Sequence, residues 1–126
     1  MLKIIAKIKE PIVNEFEIFE KEFNNSINSG VLILNVIIRY ILSRKGKQIR
    51  PLLVLLFAKM YSNQNLTNKS YRAAIISELI HSATLIHDDI VDDSKLRRGF
   101  LALNALWNNK ISVLVGDFLL SKSLLL

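Results

Sequence analysis

A chain of 126 residues that is 51% apolar can bury one core, and four glycines and two prolines supply too few turns for an all-β domain. The absence of cysteine excludes disulfides and thiolate metal sites within the chain and fits a reducing, cytoplasmic setting. The net charge of +6 is scattered without a compact basic run, and the few aromatics sit among apolar neighbours, so a small anionic ligand is expected and no nucleic acid.

In chain order, Ile4 to about Asn25 reads as helical, with Val13, Phe16, Phe19 and Phe23 at three- and four-residue spacing and Pro11 opening a new turn. Lys3, Lys7 and Lys9 break any apolar leader, so no signal peptide is expected. The Asn24-Asn25-Ser26 and Asn28-Ser29-Gly30 clusters mark a turn. Val31 to Ser43 forms a second helix, apolar nearly all round and therefore expected to be buried. Asn35 and Arg39 interrupt it, well short of the ~20 apolar residues a membrane span needs. Arg44-Lys45-Gly46-Lys47 is a basic loop, and Pro51 suits the first turn of a third helix running to about Tyr61.

Ser62 to Lys69 is a polar connection. The longest helix is expected from Ser70 to Asp93, followed by a short segment, Ser94 to Leu103, that carries Arg97-Arg98-Gly99. A final helix starts at Asn104 and is broken near Asn108-Asn109. Its last part contains Asp117 and Lys122, so at most peripheral membrane contact is expected. Phe118 to Leu126 ends without a cap, the mark of a truncated domain.

The strongest chemical signal lies on the longest helix. At about 100° per residue, His81, Thr84, Asp88 and Asp92 fall on one stripe with Asp89 beside it. Asp88 and Asp92 are one turn apart, so their carboxylates can reach a common point. The rest of the helix is apolar and is expected to be buried on most sides. Aspartates crowded at a helix C-terminus repel one another and oppose the macrodipole. A divalent cation removes both penalties, and Mg²⁺ favours carboxylate oxygens while taking further oxygens from water and substrate phosphate. A metal site is expected here in preference to a merely solvated acidic end. His81 shares the aspartate stripe and is read as a ligand contact, whereas His87 lies off it and is read as structural.

Cations flank this run on both sides. Lys47 and Arg50 stand three residues apart near a helix start, whose free N–H groups also attract anions. Arg97 and Arg98 supply planar forks suited to phosphate oxygens. Either set alone is common on surfaces. Together with acidic metal ligands they suggest two phosphate-bearing substrates.

The ordered set Gly46-Lys47-Gln48-Ile49-Arg50-Pro51, Glu78-Leu79-Ile80-His81, His87-Asp88-Asp89-Ile90-Val91-Asp92, Leu96-Arg97-Arg98-Gly99 and Val115-Gly116-Asp117-Phe118-Leu119 resembles the motifs of trans-polyprenyl diphosphate synthases. The resemblance covers about Gly46 to the C-terminus. It implies an all-α fold, the N-terminal half of an isoprenoid-synthase-type helical bundle, truncated, with a helical segment at 1–45 before the core motifs at 46–126. It further implies that Asp88, Asp89 and Asp92 carry the catalysis, with Asp88 and Asp92 the Mg²⁺ ligands and Asp89 in support. By the same resemblance Arg97 grips an allylic prenyl diphosphate, and Lys47, Arg50, His81 and Arg98 bind isopentenyl diphosphate. The implied reaction is ionisation of the allylic substrate, attack on the carbocation by the isopentenyl double bond, and proton loss to the released pyrophosphate. A homodimer is implied for the full-length protein.

Two residues depart from the pattern: Lys45 stands where a second glycine is usual, and Gln48 where a basic residue often follows the lysine. The family's second aspartate-rich motif lies in the other half, so this chain alone is expected to be inactive. Ala83 and Thr84 are small where short-chain members often carry an aromatic, which implies a medium or long product. Two rival readings are a His-Asp metal phosphohydrolase, suggested by His87-Asp88, and a non-catalytic helical partner of a synthase. The first lacks well-separated histidines, since only His81 accompanies His87, and the intact Asp88/Asp92 pair argues against the second.

Overall fold

The computed structural model describes residues 1–44 and 46–126; Lys45, read above as part of the basic loop, lies outside the described residues. The elements are α1 (Leu2–Lys9), a 3₁₀ turn (Glu10–Ile12), α2 (Val13–Ser26), α3 (Leu32–Ser43), α4 (Ile49–Tyr61), α5 (Asn68–Val91), β1 (Leu96–Arg97), β2 (Phe100–Leu101), α6 (Leu103–Leu106) and α7 (Asn109–Leu125). They form two compact units. The first holds α1, α2, α4 and α5 up to Glu78; the second holds α3, α5 from Leu79, the β-hairpin, α6 and α7. No helix among the described residues is long and apolar enough to cross a membrane.

In the first unit the continuous N-terminal helix expected from the sequence is broken by the 3₁₀ turn at Pro11, which has no N–H to continue an α-helical ladder. Phe16, Phe19 and Phe23 are buried along one apolar stripe of α2, as their spacing predicts, whereas Val13, grouped with them in the sequence, is exposed and Ile12 in the preceding turn is buried in its place. The α2 rings pack in tilted pairs, with centroids 5.3 Å apart for Phe16–Phe19 and 5.6 Å for Phe19–Phe23. Helix α4 meets this stripe with Pro51, Leu52 and Leu55, and α5 adds Tyr71, Ala74 and Ile75 to the core. Lys59 on α4 closes the arrangement, donating to the Pro11 carbonyl at 2.9 Å and to the Glu15 carboxylate. Burial lifts the Tyr71 hydroxyl above its ordinary pKa, and the charges of Glu15 and Glu22 add to that shift.

The Lys59 hydrogen bond holds the Glu15 carboxyl below its ordinary value of 4.5. A carboxyl depressed by folding contributes stability above its unfolded pKa and loses it as pH falls through the folded one. Urea unfolding should therefore show stability declining as pH drops below 4.5. Lys59→Met should flatten the part of that decline due to Glu15, and an identical pH profile in the variant would refute the assignment.

In the second unit, α7 turns Ser112, Val115, Gly116, Leu119 and Ser123 inward, one stripe at three- and four-residue spacing. The buried serine hydroxyls bond back to their own helix, Ser112 to the Asn108 carbonyl at 3.2 Å and Ser123 to Leu120 at 2.6 Å. Asn108 caps α7 by accepting the Ile111 N–H at 2.9 Å, which explains the break foreseen near that residue. Helix α3 packs on α7 and buries Ile37 and Ile38. It is not covered on all sides as its composition suggests: Leu32, Ile33 and Val36 stay exposed. Likewise α5 is buried along one stripe and not on most sides, with Ile80 and Val91 exposed. A helix buries only the face that meets a neighbour, whatever its overall hydropathy.

Candidate functional site

Helix α5 ends at Val91, two residues earlier than its aspartates suggest. The N–H of Asp92 still donates to the Asp88 carbonyl at 2.8 Å, the N–H of Asp93 reaches Ile90 at 3.3 Å, and that of Ser94 reaches Asp89 at 2.9 Å. With Asp93 at φ 51°, this is a Schellman closure whose left-handed residue is an aspartate in place of the usual glycine. Lys95 pairs with Asp93 at 2.9 Å. Asp93, which the sequence left without a role, shapes the helix end.

The chain then reverses in a two-stranded hairpin pairing Leu96 with Leu101 and Arg97 with Phe100. Both central residues have positive φ, Arg98 at 51° and Gly99 at 78°, which makes the turn type I′ and gives Gly99 a conformational reason to be there. The hairpin is anchored at its β2 side: the Tyr40 hydroxyl donates to the Leu101 carbonyl at 2.7 Å, and the Arg44 guanidinium lies 3.9 Å from the Phe100 ring centroid. Tyr40 in turn meets Trp107 edge-on at 5.8 Å.

This reversal carries Arg97 back onto the end of α5. Its Nε lies 2.7 and 3.0 Å from the two Asp89 oxygens, and Nη2 bonds Oδ1 as well. The Asp89 side chain is 6% exposed and that of Arg97 38%, so the pair reaches from the interior to the surface. The Asp89 hydrogen bond pushes the Arg97 guanidinium further above its ordinary pKa; burial opposes this, and the charges of Asp89, Asp88 and Asp92 reinforce it. The aspartate run is thereby divided. Asp89 faces inward and is committed to Arg97, while Asp88 and Asp92 are exposed one helical turn apart.

Thr84, on the same stripe, is exposed and donates to the His81 carbonyl at 2.8 Å; His81 itself is half-buried. Arg98 is exposed in the turn. The second unit thus contains Asp88, Asp89, Asp92, Arg97, Arg98 and His81. Lys47 and Arg50 belong to the first unit, both exposed, Lys47 contacting the Met1 sulfur and Arg50 in the first turn of α4.

Among the described residues, no three His, Asp or Glu side chains gather closely enough to enclose a metal by themselves. The exposed Asp88/Asp92 pair nevertheless suits Mg²⁺, which commonly takes one or two protein carboxylates and completes its shell with water and substrate phosphate.

His87 is tied into the scaffold. Its Nε2 lies 3.3 Å from Asp117 Oδ1 and 3.5 Å from the Val113 carbonyl, both on α7. Gly116 makes this possible, since a Cβ there would collide with the imidazole ring. Gly116→Ala should destabilise the protein by about 1–3 kcal/mol through overpacking. Thermal unfolding checks this, and an unchanged melting temperature would show that the ring moves aside freely. An isolated glycine in an apolar helix was the available sequence signal for this close approach. Sequence reasoning passed over Asn104, which is buried and donates its side-chain amide to the Ser94 carbonyl at 3.0 Å.

Residues 31–126 match the polyprenyl synthetase family. The all-trans-nonaprenyl-diphosphate synthase (geranyl-diphosphate specific) of Rhodobacter capsulatus is 40% identical over 116 residues, covering 92% of this chain and 35% of that protein. A decaprenyl diphosphate synthase structure from Rhodobacter capsulatus matches with a TM-score of 0.88 at 30% identity, over 96% of this chain and 37% of that one. A polyprenyl synthase from Caulobacter crescentus, solved in complex with calcium and isoprenyl diphosphate, gives 0.86 at 30% identity, over 95% and 36%. This chain spans about a third of the length of these relatives.

Proposed function

Since this chain belongs to the polyprenyl synthetase family, we propose that it supplies the front part of the active site of a prenyltransferase that extends an allylic prenyl diphosphate with isopentenyl diphosphate. The division of the aspartate run carries this reading: Asp88 and Asp92 are left outward as a carboxylate pair, and Asp89 is spent on holding Arg97 beside them. Asp88 and Asp92 would hold Mg²⁺, which would supply neutralisation of diphosphate charge when bound. Arg97, held protonated and oriented by Asp89, grips the same diphosphate with the part of its guanidinium that remains exposed. Lys47, Arg50, His81 and Arg98 are the residues for isopentenyl diphosphate. The Caulobacter crescentus polyprenyl synthase was solved with calcium and isoprenyl diphosphate, which supports a divalent cation and a prenyl diphosphate as ligands.

At about a third of its relatives' length, the chain turns over no substrate by itself. The whole protein works as a homodimer in the cytoplasm and makes a medium or long chain. Of the two small residues upstream of Asp88, Ala83 is packed in the core, which leaves exposed Thr84 as the position to test. In a complete enzyme, Thr84→Phe should shorten the product seen by chromatography; an unchanged product length would defeat the assignment.

Isothermal titration of this chain with a non-ionising allylic thiolodiphosphate, with and without Mg²⁺, tests the site. Binding that requires Mg²⁺ is expected. Equal binding in EDTA, or none in either condition, would overturn the reading.

A further inference from the structure

One buried amide joins the backbone bonds that hold the loop between α5 and α6. Asn104, at the second position of α6, is 7% exposed. Its Nδ2 donates to the Ser94 carbonyl at 3.0 Å and reaches the Asp89 carbonyl at 3.5 Å. Those carbonyls belong to the residue that opens the hairpin segment and to the residue that carries the buried carboxylate. The Ala102 N–H to Lys95 carbonyl bond, at 2.8 Å, closes the base of the hairpin immediately beside them. This side chain therefore reinforces, from α6, the junction of Asp89 and Ser94 that leads into the strand bearing Arg97. The other end of the amide, Oδ1, is buried with no hydrogen-bond partner among the described residues. An unpaired buried acceptor is unfavourable, so the bond that Nδ2 gives the Ser94 carbonyl is what asparagine contributes at this position.

We propose that Asn104 is a positioning residue for the diphosphate site: by tying Ser94 to the end of α5 it sets where Arg97 lies against Asp89 and beside the Asp88/Asp92 pair. The consequence for ligand binding rests on the function proposed above, while the effect on Arg97 does not.

The test uses the 126-residue chain, Asn104→Leu, and the ¹⁵N signal of the Arg97 Nε–H. At a temperature where the variant remains folded, hydrogen-exchange protection of that group should fall at least tenfold, more than that of the amides of α7, and the affinity for inorganic pyrophosphate with Mg²⁺ should fall about tenfold. Repeating the titration in an Arg97→Met background should show no further loss from Asn104→Leu, because the residue acts through Arg97. Unchanged Arg97 protection, or equal losses in both backgrounds, would overturn the proposal. If Asn104→Leu does not fold, the wild type decides. Exchange of the Asn104 amide and of Arg97 Nε–H should respond together to low urea, and independent responses refute the link. If the wild type fails to bind pyrophosphate, the functional reading falls, and Arg97 protection still decides the role of Asn104.

Discussion

Replacing Asp88 or Asp92 with asparagine is expected to weaken Mg²⁺-dependent diphosphate binding on the order of 100-fold, at the upper end of what losing a metal-supporting group costs. Replacing both should abolish it. Stability should change little. Both carboxylates are exposed at the C-terminal end of α5, where anions oppose the macrodipole, and the relief of that opposition is offset by the loss of their attraction to Arg97. Calorimetric titration together with a thermal melt reads both effects at once. Loss of binding accompanied by loss of stability would mean that these aspartates hold the fold together and do not serve a ligand.

The second large effect concerns Arg97. Removing one partner of a fully buried ion pair costs about 3–5 kcal/mol. Because the Arg97 side chain is 38% exposed, Arg97→Met should cost somewhat less, about 2–3 kcal/mol, through the Asp89 carboxylate stranded at 6% exposure. Asp89→Asn should be milder, about 1–2 kcal/mol, since the guanidinium left behind can turn to water. Urea unfolding followed by Trp107 fluorescence measures both. The order is the informative result: a larger loss for Asp89→Asn would show that Arg97, and not Asp89, is the strained member of the pair.

These contrasts show how far the sequence could be read. The spacing of Phe16, Phe19 and Phe23 was enough to find most of the core of the first unit, because a helix repeats its face every three to four residues, but Val13, read with them, is exposed and Ile12 takes the buried position. The same periodicity placed Asp88 and Asp92 together and Asp89 to one side. That offset is why Asp89 turns inward, but its partner was not legible. Arg97 returns only because Arg98 and Gly99 adopt left-handed conformations, and Arg98-Gly99 was read for its charge and not as a turn. His87 and Asp117 meet across two helices, and no local pattern announces such a pairing.

Hydropathy misled in the opposite direction. Leu32, Ile33 and Val36 made α3 look buried all round, yet they remain exposed. Apolar content records every partner a segment is suited to, whereas these residues supply only some.

We propose, above all, that this chain forms the diphosphate-binding front of a prenyl-chain-extending enzyme. The most direct test is a chimera in which the chain replaces the matching third of the Rhodobacter capsulatus nonaprenyl-diphosphate synthase, assayed with an allylic diphosphate, isopentenyl diphosphate and Mg²⁺. Elongated prenyl products that disappear with Asp88→Asn are expected. A folded chimera that binds both diphosphates and yields no product, or one whose product survives Asp88→Asn, would contradict it.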